Sequence, residues 1–155
     1  MRLFLIVSFS LLSLYSLYSQ NAKSRENLNS DSRFEAIVDN CKWEGETSIY
    51  LDAENYRCFY FYPDNLDDHI TIRTKCLAIG DYKLSDSSVV LLRTIRGDVL
   101  NGIYYSSGNT EDKLVISKVD YKNGFVEGSF YCKLKLGDNV IDINSASFKS
   151  YFIKQ

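Results

Sequence analysis

Residues 114–136, LVISKVDYKNGFVEGSFYCKLKL, contain two runs of alternating apolar and polar residues separated by Asn123-Gly124. A period of two is typical of a β-strand with one buried and one exposed face. Asn-Gly between two such runs is the strongest local signal for a β-hairpin. In the second run, one face carries the apolar residues and a glycine, namely Val126, Gly128, Phe130, Cys132, Leu134 and Leu136. The segment therefore predicts an antiparallel hairpin in which Phe130 and Leu134 are buried.

The period of two continues on both sides of this hairpin. Residues 57–62 (RCFYFY) end at the turn residues Pro63-Asp64-Asn65, and residues 69–78 place Ile70, Ile72, Cys76 and Ala78 on one predicted apolar face. The other predicted strands are 34–38, 82–84, 89–95, 100–105, 140–143 and 148–153. Eight to ten short strands with turn residues between them predict an all-β fold. We expect an antiparallel β-barrel or β-sandwich, with a lipocalin-like meander as one option.

The first twenty residues predict export. Arg2 is followed by the uncharged, mostly apolar residues 3–14 and by the more polar residues 15–20. This is the organisation of a signal peptide, and the apolar run is shorter than the roughly 20 residues of a transmembrane helix. We expect residues 1–19 to be a signal peptide, residues 20–32 a disordered tether and residues 33–155 a single β domain. The mature protein is expected to be secreted or periplasmic, without a stable membrane span.

Composition and motifs argue against several functional classes. The chain has 18 Lys and Arg against 20 Asp and Glu, so it lacks the basic excess of a nucleic-acid-binding protein. His69 is the only histidine, and we interpret it as a surface residue that begins a strand. We expect no cofactor, no metal site and no enzymatic activity. A hydrolase that uses two carboxylates is the less favoured alternative; its candidate residues are Asp52, Glu54, Asp64, Asp67, Asp68, Glu111 and Asp112.

Four cysteines in an exported chain allow two disulfides. Cys76 and Cys132 both lie on predicted apolar faces, so they are candidates to meet in the core. Cys41 and Cys58 would then join the first predicted strand to the next. Buried free thiols are the alternative.

Tyrosines give the strongest indication of binding. Tyr60 and Tyr62 alternate with phenylalanines, so one pair faces outward if the other faces inward. Tyr104, Tyr105 and Tyr131 lie at predicted strand ends or on polar faces. Exposed tyrosines on a sheet can stack on sugar rings or anchor a protein partner. These five residues are therefore the candidate binding residues, with packing in the sheet as the alternative role.

Several short motifs follow one another in the order of a known domain. They are Phe34-x-Ala36-x-Val38-Asp39 with Trp43, Gly80-x-Tyr82-x-Leu84, Leu114-x-Ile116-x-Lys118-x-Asp120, and Gly128-x-Phe130. This order resembles a domain of unknown function that is common in secreted proteins and lipoproteins of Bacteroidota. The resemblance implies an exported β domain and assigns no catalytic residues. Asn40 replaces a usual glycine, and the lipid-anchoring cysteine of many members is missing.

The sequence thus favours an exported binding module without catalytic activity. Its ligand would be a glycan, a lipid-like molecule or another envelope protein. A structural envelope protein with no ligand is the main alternative. A barrel of about eight strands is able to enclose one small ligand. An internal cavity would therefore favour a carrier, and a solid core would favour a structural protein or binding at the surface.

Overall fold

The computed structural model describes residues 31–52, 54–64, 68–84, 89–95 and 99–152. The predicted signal peptide and residues 20–30 of the predicted tether lie outside these ranges. The described residues form ten strands: β1 (Arg33–Val38), β2 (Cys41–Leu51), β3 (Arg57–Pro63), β4 (His69–Thr74), β5 (Gly80–Lys83), β6 (Val89–Ile95), β7 (Val99–Ser106), β8 (Lys113–Asp120), β9 (Phe125–Leu136) and β10 (Asn139–Tyr151). A search of these ranges for membrane-spanning helices finds none.

All strand pairs are antiparallel, and they belong to one sheet with the order β10-β1-β2-β3-β4-β6-β7-β9-β8-β5. β9 also pairs with β10 along one edge. The other edge of β9 pairs with β8 over the first half of β9 and with β7 at Leu134 and Lys135. The sheet is therefore curled into a half-barrel with an inner and an outer face. The prediction of an all-β, antiparallel fold is confirmed.

The hairpin turns follow their local chemistry. Asp39 and Asn40 join β1 to β2 with φ angles of 47° and 64°, as a two-residue type I′ turn requires. The predicted hairpin at Asn123-Gly124 is present between β8 and β9, but its loop spans residues 121–124. Only Gly124 has a positive φ there, because Asp120 accepts the Asn123 backbone N–H at 2.9 Å and holds a wider turn.

The inner face of the sheet is filled by aromatic and aliphatic side chains. Ile70, Ile72, Phe130 and Leu134 are fully buried, as predicted. Five phenylalanine rings contact one another at the centre, with Phe61 touching the rings of four others: Phe34, Phe59, Phe130 and Phe148. The Phe61 and Phe130 centroids are 4.8 Å apart. These five rings form the centre of the buried core.

Gly128 permits close approach between β9 and β10. It pairs with Phe148, and a Cβ at this position would lie 2.8 Å from the Cζ of that ring. The Phe148 ring therefore covers the backbone of Gly128. Glycines at such positions allow a sheet to bend sharply.

Three elements differ from the predicted strands. The strand predicted over residues 69–78 ends at Thr74 in β4, and Cys76 and Ala78 are exposed. Beyond Thr74, the carbonyls of Leu77 and Ala78 accept hydrogen bonds from the side-chain hydroxyl groups of Tyr121 and Tyr82. β2 is a full strand of eleven residues. The last two predicted strands form one strand, β10, with a bulge between Ile143 and Ala146.

Candidate functional site

β3 presents aromatic rings on both faces. Phe59 and Phe61 point inward, and Tyr60 and Tyr62 point outward and stack at 6.1 Å. Tyr50 on β2 contacts Tyr60 at 5.7 Å, and His69 on β4 contacts Tyr62 at 5.8 Å. We call Tyr50, Tyr60, Tyr62 and His69 the tyrosine row.

The tyrosine row is largely closed to solvent although it lies on the outer face. Tyr62 is 5% exposed and His69 is 9% exposed. Burial, followed by the nearby Cys58 and Tyr62, raises the pKa of Tyr60 far above its ordinary value. The interpretation of His69 as a surface residue was therefore wrong, because its ring packs against Tyr62. Rings that are covered in this way contribute to packing and offer little area to a ligand.

A network of charged side chains, formed by Asp52, Glu54 and Arg73, lies next to one end of the tyrosine row. Asp52 accepts the backbone N–H groups of Glu54 and Tyr56, both at 2.9 Å, and the Nε of Arg73 at 2.7 Å. Arg73 also binds Glu54 at 2.8 Å and lies 4.1 Å from the Tyr56 ring centroid. Partial burial raises the pKa of Asp52, but these hydrogen bonds outweigh it and the pKa is lowered. Asp52 and Glu54 therefore both form ion pairs with the same arginine.

Most of the other candidate carboxylates are paired with another group, buried or outside the described ranges. Asp64 forms an ion pair with Arg33 at 2.8 Å. Asp112 is buried and accepts the Lys133 backbone N–H at 3.1 Å. Asp68 is buried, and Asp67 lies outside the described residues. Within the described ranges, no group of three or more His, Cys, Asp and Glu side chains is placed to hold a metal ion.

All four cysteines are free thiols, so the two predicted disulfides are not formed in this structure. Cys58 lies opposite Tyr50 on β2, which is nine residues from Cys41 and hence about 30 Å along the strand. Cys132 faces the core from β9, whereas Cys76 is exposed beyond the end of β4. Burial and the charge of Asp52 raise the pKa of Cys58 to about 11.

The five candidate tyrosines do not form one site. Tyr60 and Tyr62 belong to the tyrosine row on β3. Tyr104 points inward from β7, is 9% exposed and packs in the core, so its assignment to a binding surface was wrong. Its register opposite Leu91, an inward residue of β6, decides this orientation. Tyr105 and Tyr131 lie on the outer face around β9.

The outer face of β9 differs from that of β3 because its side chains are open. Lys133 and Lys135 are exposed, and neither has an ion-pair partner among the described residues. Lys135 lies between Tyr105 on β7 and Val140 on β10 in the strand register. Tyr105 is 45% exposed and Val140 is 50% exposed. We call Tyr105, Tyr131, Lys133, Lys135 and Val140 the lysine strip.

Tyr131 extends the lysine strip toward β8. It lies opposite Lys113, whose Nζ is 5.6 Å from the Tyr131 ring centroid and 3.1 Å from Asp81. Residues two apart on a strand project from the same face about 6.6 Å apart. The strip therefore places two ammonium groups without ion-pair partners in the described part of the chain in line with the partly covered ring of Tyr131 and beside the exposed ring of Tyr105.

The sequence alone predicts only that Lys133 and Lys135 lie on the solvated face of a strand. The KLKL alternation shows that both point outward, but it does not show which residues flank them. Tyr105 and Val140 reach Lys135 through pairing across β7, β9 and β10.

Comparisons of the chain with protein-family models, with curated protein sequences and with solved structures found no match.

Proposed function

We propose that this protein is an exported, non-enzymatic binding module that binds an acidic polysaccharide along the lysine strip. The observation that carries the proposal is the pair Lys133 and Lys135, which are exposed and have no ion-pair partner among the described residues. Lys135 lies between Tyr105 and Val140 in the strand register, and Lys133 lies opposite Asp142. A sugar polymer that carries carboxylate or sulfate groups offers charges for the two ammonium groups. The apolar faces of its rings suit an exposed tyrosine.

The contrast with four other cations supports this choice of surface. Arg33, Lys42, Arg73 and Lys113 each form ion pairs with carboxylates of the same chain. A ligand anion at those positions would have to displace an existing partner. At Lys133 and Lys135 it would displace no ion-pair partner among the described residues, which favours the lysine strip as the binding surface.

The expected affinity is modest because the strip is exposed. An exposed ion pair contributes up to about 1 kcal/mol, and salt weakens it. Useful binding therefore requires a polymer that makes several contacts, and we expect the affinity to fall as ionic strength rises.

The filled interior supports surface binding over transport of an enclosed lipid-like ligand. The five phenylalanine rings around Phe61 occupy the centre of the inner face. The pairings of β10 with both β1 and β9 support a barrel-like arrangement over two stacked sheets. Export by a signal peptide over residues 1–19 is part of the proposal, as is relationship to the Bacteroidota domain of unknown function. Mass measurement of exported protein, with a mature N-terminus near Gln20, tests the export step.

Binding is tested with polygalacturonate, an acidic polysaccharide, and with dextran, a neutral one, by isothermal titration calorimetry. We expect binding to polygalacturonate and not to dextran, and a loss of about tenfold, and of no more than about thirtyfold, for the double variant Lys133→Ser/Lys135→Ser, since removing each ion pair costs up to about 1 kcal/mol. The matched control Lys75→Ser/Lys83→Ser removes two exposed lysines elsewhere and should change the affinity less than about twofold.

Equal weakening by both double variants would show that net charge, and not the strip, attracts the polymer. Vesicles containing phosphatidylglycerol distinguish a second source of anionic groups. Binding to such vesicles without binding to polygalacturonate would reject the polysaccharide and assign the strip to a lipid surface.

A further inference from the structure

Three hydroxyl side chains lie next to one another on the inner face of the sheet. Arg33 pairs with Glu46 on β2 and with Lys149 on β10, so the preceding Ser32 lies between Thr47 and Ser150. The relative exposures of Ser32, Thr47 and Ser150 are 1%, 0% and 0%. We call these three residues the hydroxyl row.

The backbone around the hydroxyl row is satisfied. The Thr47 N–H donates to the Ser32 carbonyl at 3.2 Å, and the Tyr151 N–H donates to Ser32 Oγ at 3.0 Å. The Oγ1 of Thr47 and the Oγ of Ser150 have no hydrogen-bond partner among the described residues. Two buried hydroxyls therefore flank a third that still has a proton to donate.

The surroundings of the row are apolar. Thr47 pairs with Phe61 and Ser150 pairs with Val126 in the neighbouring strands. Phe34 and Phe148 are the next inward residues along β1 and β10, and both are buried. A buried hydroxyl in such surroundings is unfavourable unless it forms a hydrogen bond.

We propose that the hydroxyl row is a binding site for ordered internal water. Thr47 and Ser150 lie about 10 Å apart on the two strands beside Ser32. Each therefore donates its hydroxyl proton to its own water beside Ser32 Oγ, and these waters donate to the lone pairs of the row. Each such water finds the polar partners that an internal water needs. The partners are neutral hydroxyls, so an ion would bring an uncompensated charge into an apolar region, and water is the matching ligand.

Thr47→Val tests the site because valine has nearly the shape of threonine but no hydroxyl. If the Thr47 hydroxyl binds water, the variant loses that hydrogen bond and leaves the water poorly held, so the melting temperature falls. If the hydroxyl is merely buried and unpaired, removing it relieves an unfavourable group and the melting temperature rises. A rise would overturn the proposal.

Ser48→Ala is the matched control. Ser48 is the neighbour of Thr47 on β2, its Oγ is also buried without a partner, but it faces outward beside Tyr60. We expect this variant to retain or raise the melting temperature while Thr47→Val and Ser150→Ala lower it by a few degrees. Equal shifts for all three variants would show that the effect is not specific to the hydroxyl row.

A direct measurement keeps the proposal testable if the variants fold poorly. In a high-resolution crystal structure of the unaltered protein, we expect an electron-density peak within about 3 Å of Thr47 Oγ1 or Ser150 Oγ, at hydrogen-bond distance. Magnetisation transfer from long-lived water to the side chains of the row checks the same site in solution. Absence of both signals would reject the water site, whatever the melting temperatures show.

Discussion

β3 and β9 follow the same alternation but use their outer faces differently. β3 buries Phe59 and Phe61 and turns Tyr60 and Tyr62 outward, whereas β9 buries Phe130 and Leu134 and turns Tyr131, Lys133 and Lys135 outward. The outward rings of β3 contact one another, and Arg73 closes the end of their row. The outward lysines of β9 have no such partners among the described residues.

The comparison shows that aromatic residues on an outer face do not by themselves make a binding surface. A tyrosine on an outer face that is covered by other rings adds to stability, because its apolar area is already removed from water. A cation without a carboxylate partner is available to a ligand. We therefore propose that the tyrosine row contributes to folding and that the lysine strip serves recognition.

The largest effect is expected inside the sheet, where both strands meet. Phe61→Ala removes a fully buried ring that contacts four other rings, and we expect the free energy of unfolding to fall by about 3–5 kcal/mol. Phe61→Leu retains most of the volume and should cost about 1 kcal/mol. Urea unfolding measures both values. A loss below about 1 kcal/mol for the alanine variant would contradict a tightly filled interior.

The same substitution on the two outer faces tests the comparison itself. Tyr62→Ala removes a ring that is 5% exposed and should lower the free energy of unfolding by about 2–4 kcal/mol. Tyr105→Ala removes a ring that is 45% exposed and should change it by about 0.5 kcal/mol or less. Urea unfolding of both variants gives the difference. Similar losses at the two positions would mean that the faces do not differ in the way we describe.

Cysteine alkylation sharpens the contrast between covered and open positions. At pH 8, raising the thiol pKa of Cys58 from 9.0 to about 11 lowers its thiolate fraction about a hundredfold. Cys76 is exposed to the reagent. Mass spectrometry after a brief exposure to iodoacetamide should find Cys76 modified and Cys58 protected. Equal labelling of the two would show that the end of the tyrosine row is open, and resistance of all four cysteines would indicate disulfides.

Much of the sheet was predictable because the inward residues of most strands are large and apolar. β2 was not, since its inward positions include Gly45 and Thr47 and its sequence around Trp43 is rich in charge. The local sequence does not show which of Tyr104 and Tyr105 points inward; the register of β7 against β6 does. Local sequence therefore predicts strands well and predicts their neighbours poorly.

The candidate site was harder to predict than the fold for the same physical reason. Tyr105, Lys135 and Val140 come from three strands and meet only through cross-strand pairing. The contacts of Asp52 with Arg73 likewise join residues from different segments. Whether a polar side chain is free or paired depends on such contacts, so its availability to a ligand could not be inferred from its own surroundings in the sequence.

The smallest effect is expected at the charged end of the tyrosine row. The folded-state pKa of Asp52 is lowered below its ordinary value of 3.8. Asp52 therefore stabilises the fold above pH 3.8, and this contribution is lost as the pH falls through the lowered pKa. Asp52→Asn retains an oxygen for the N–H groups of Glu54 and Tyr56 but loses the charge that binds Arg73.

The melting temperature of Asp52→Asn should lie below that of the unaltered protein at pH 7, and the gap should close as the solution is acidified below pH 3.8. Glu35→Gln is a suitable control, because Glu35 is exposed and its Lys42 partner also binds Glu44. Equal melting temperatures of Asp52→Asn and the unaltered protein at pH 7 would show that Asp52 acts through its backbone hydrogen bonds alone. The closure of the tyrosine row would then depend on the turn at residues 52–56 and not on its charge.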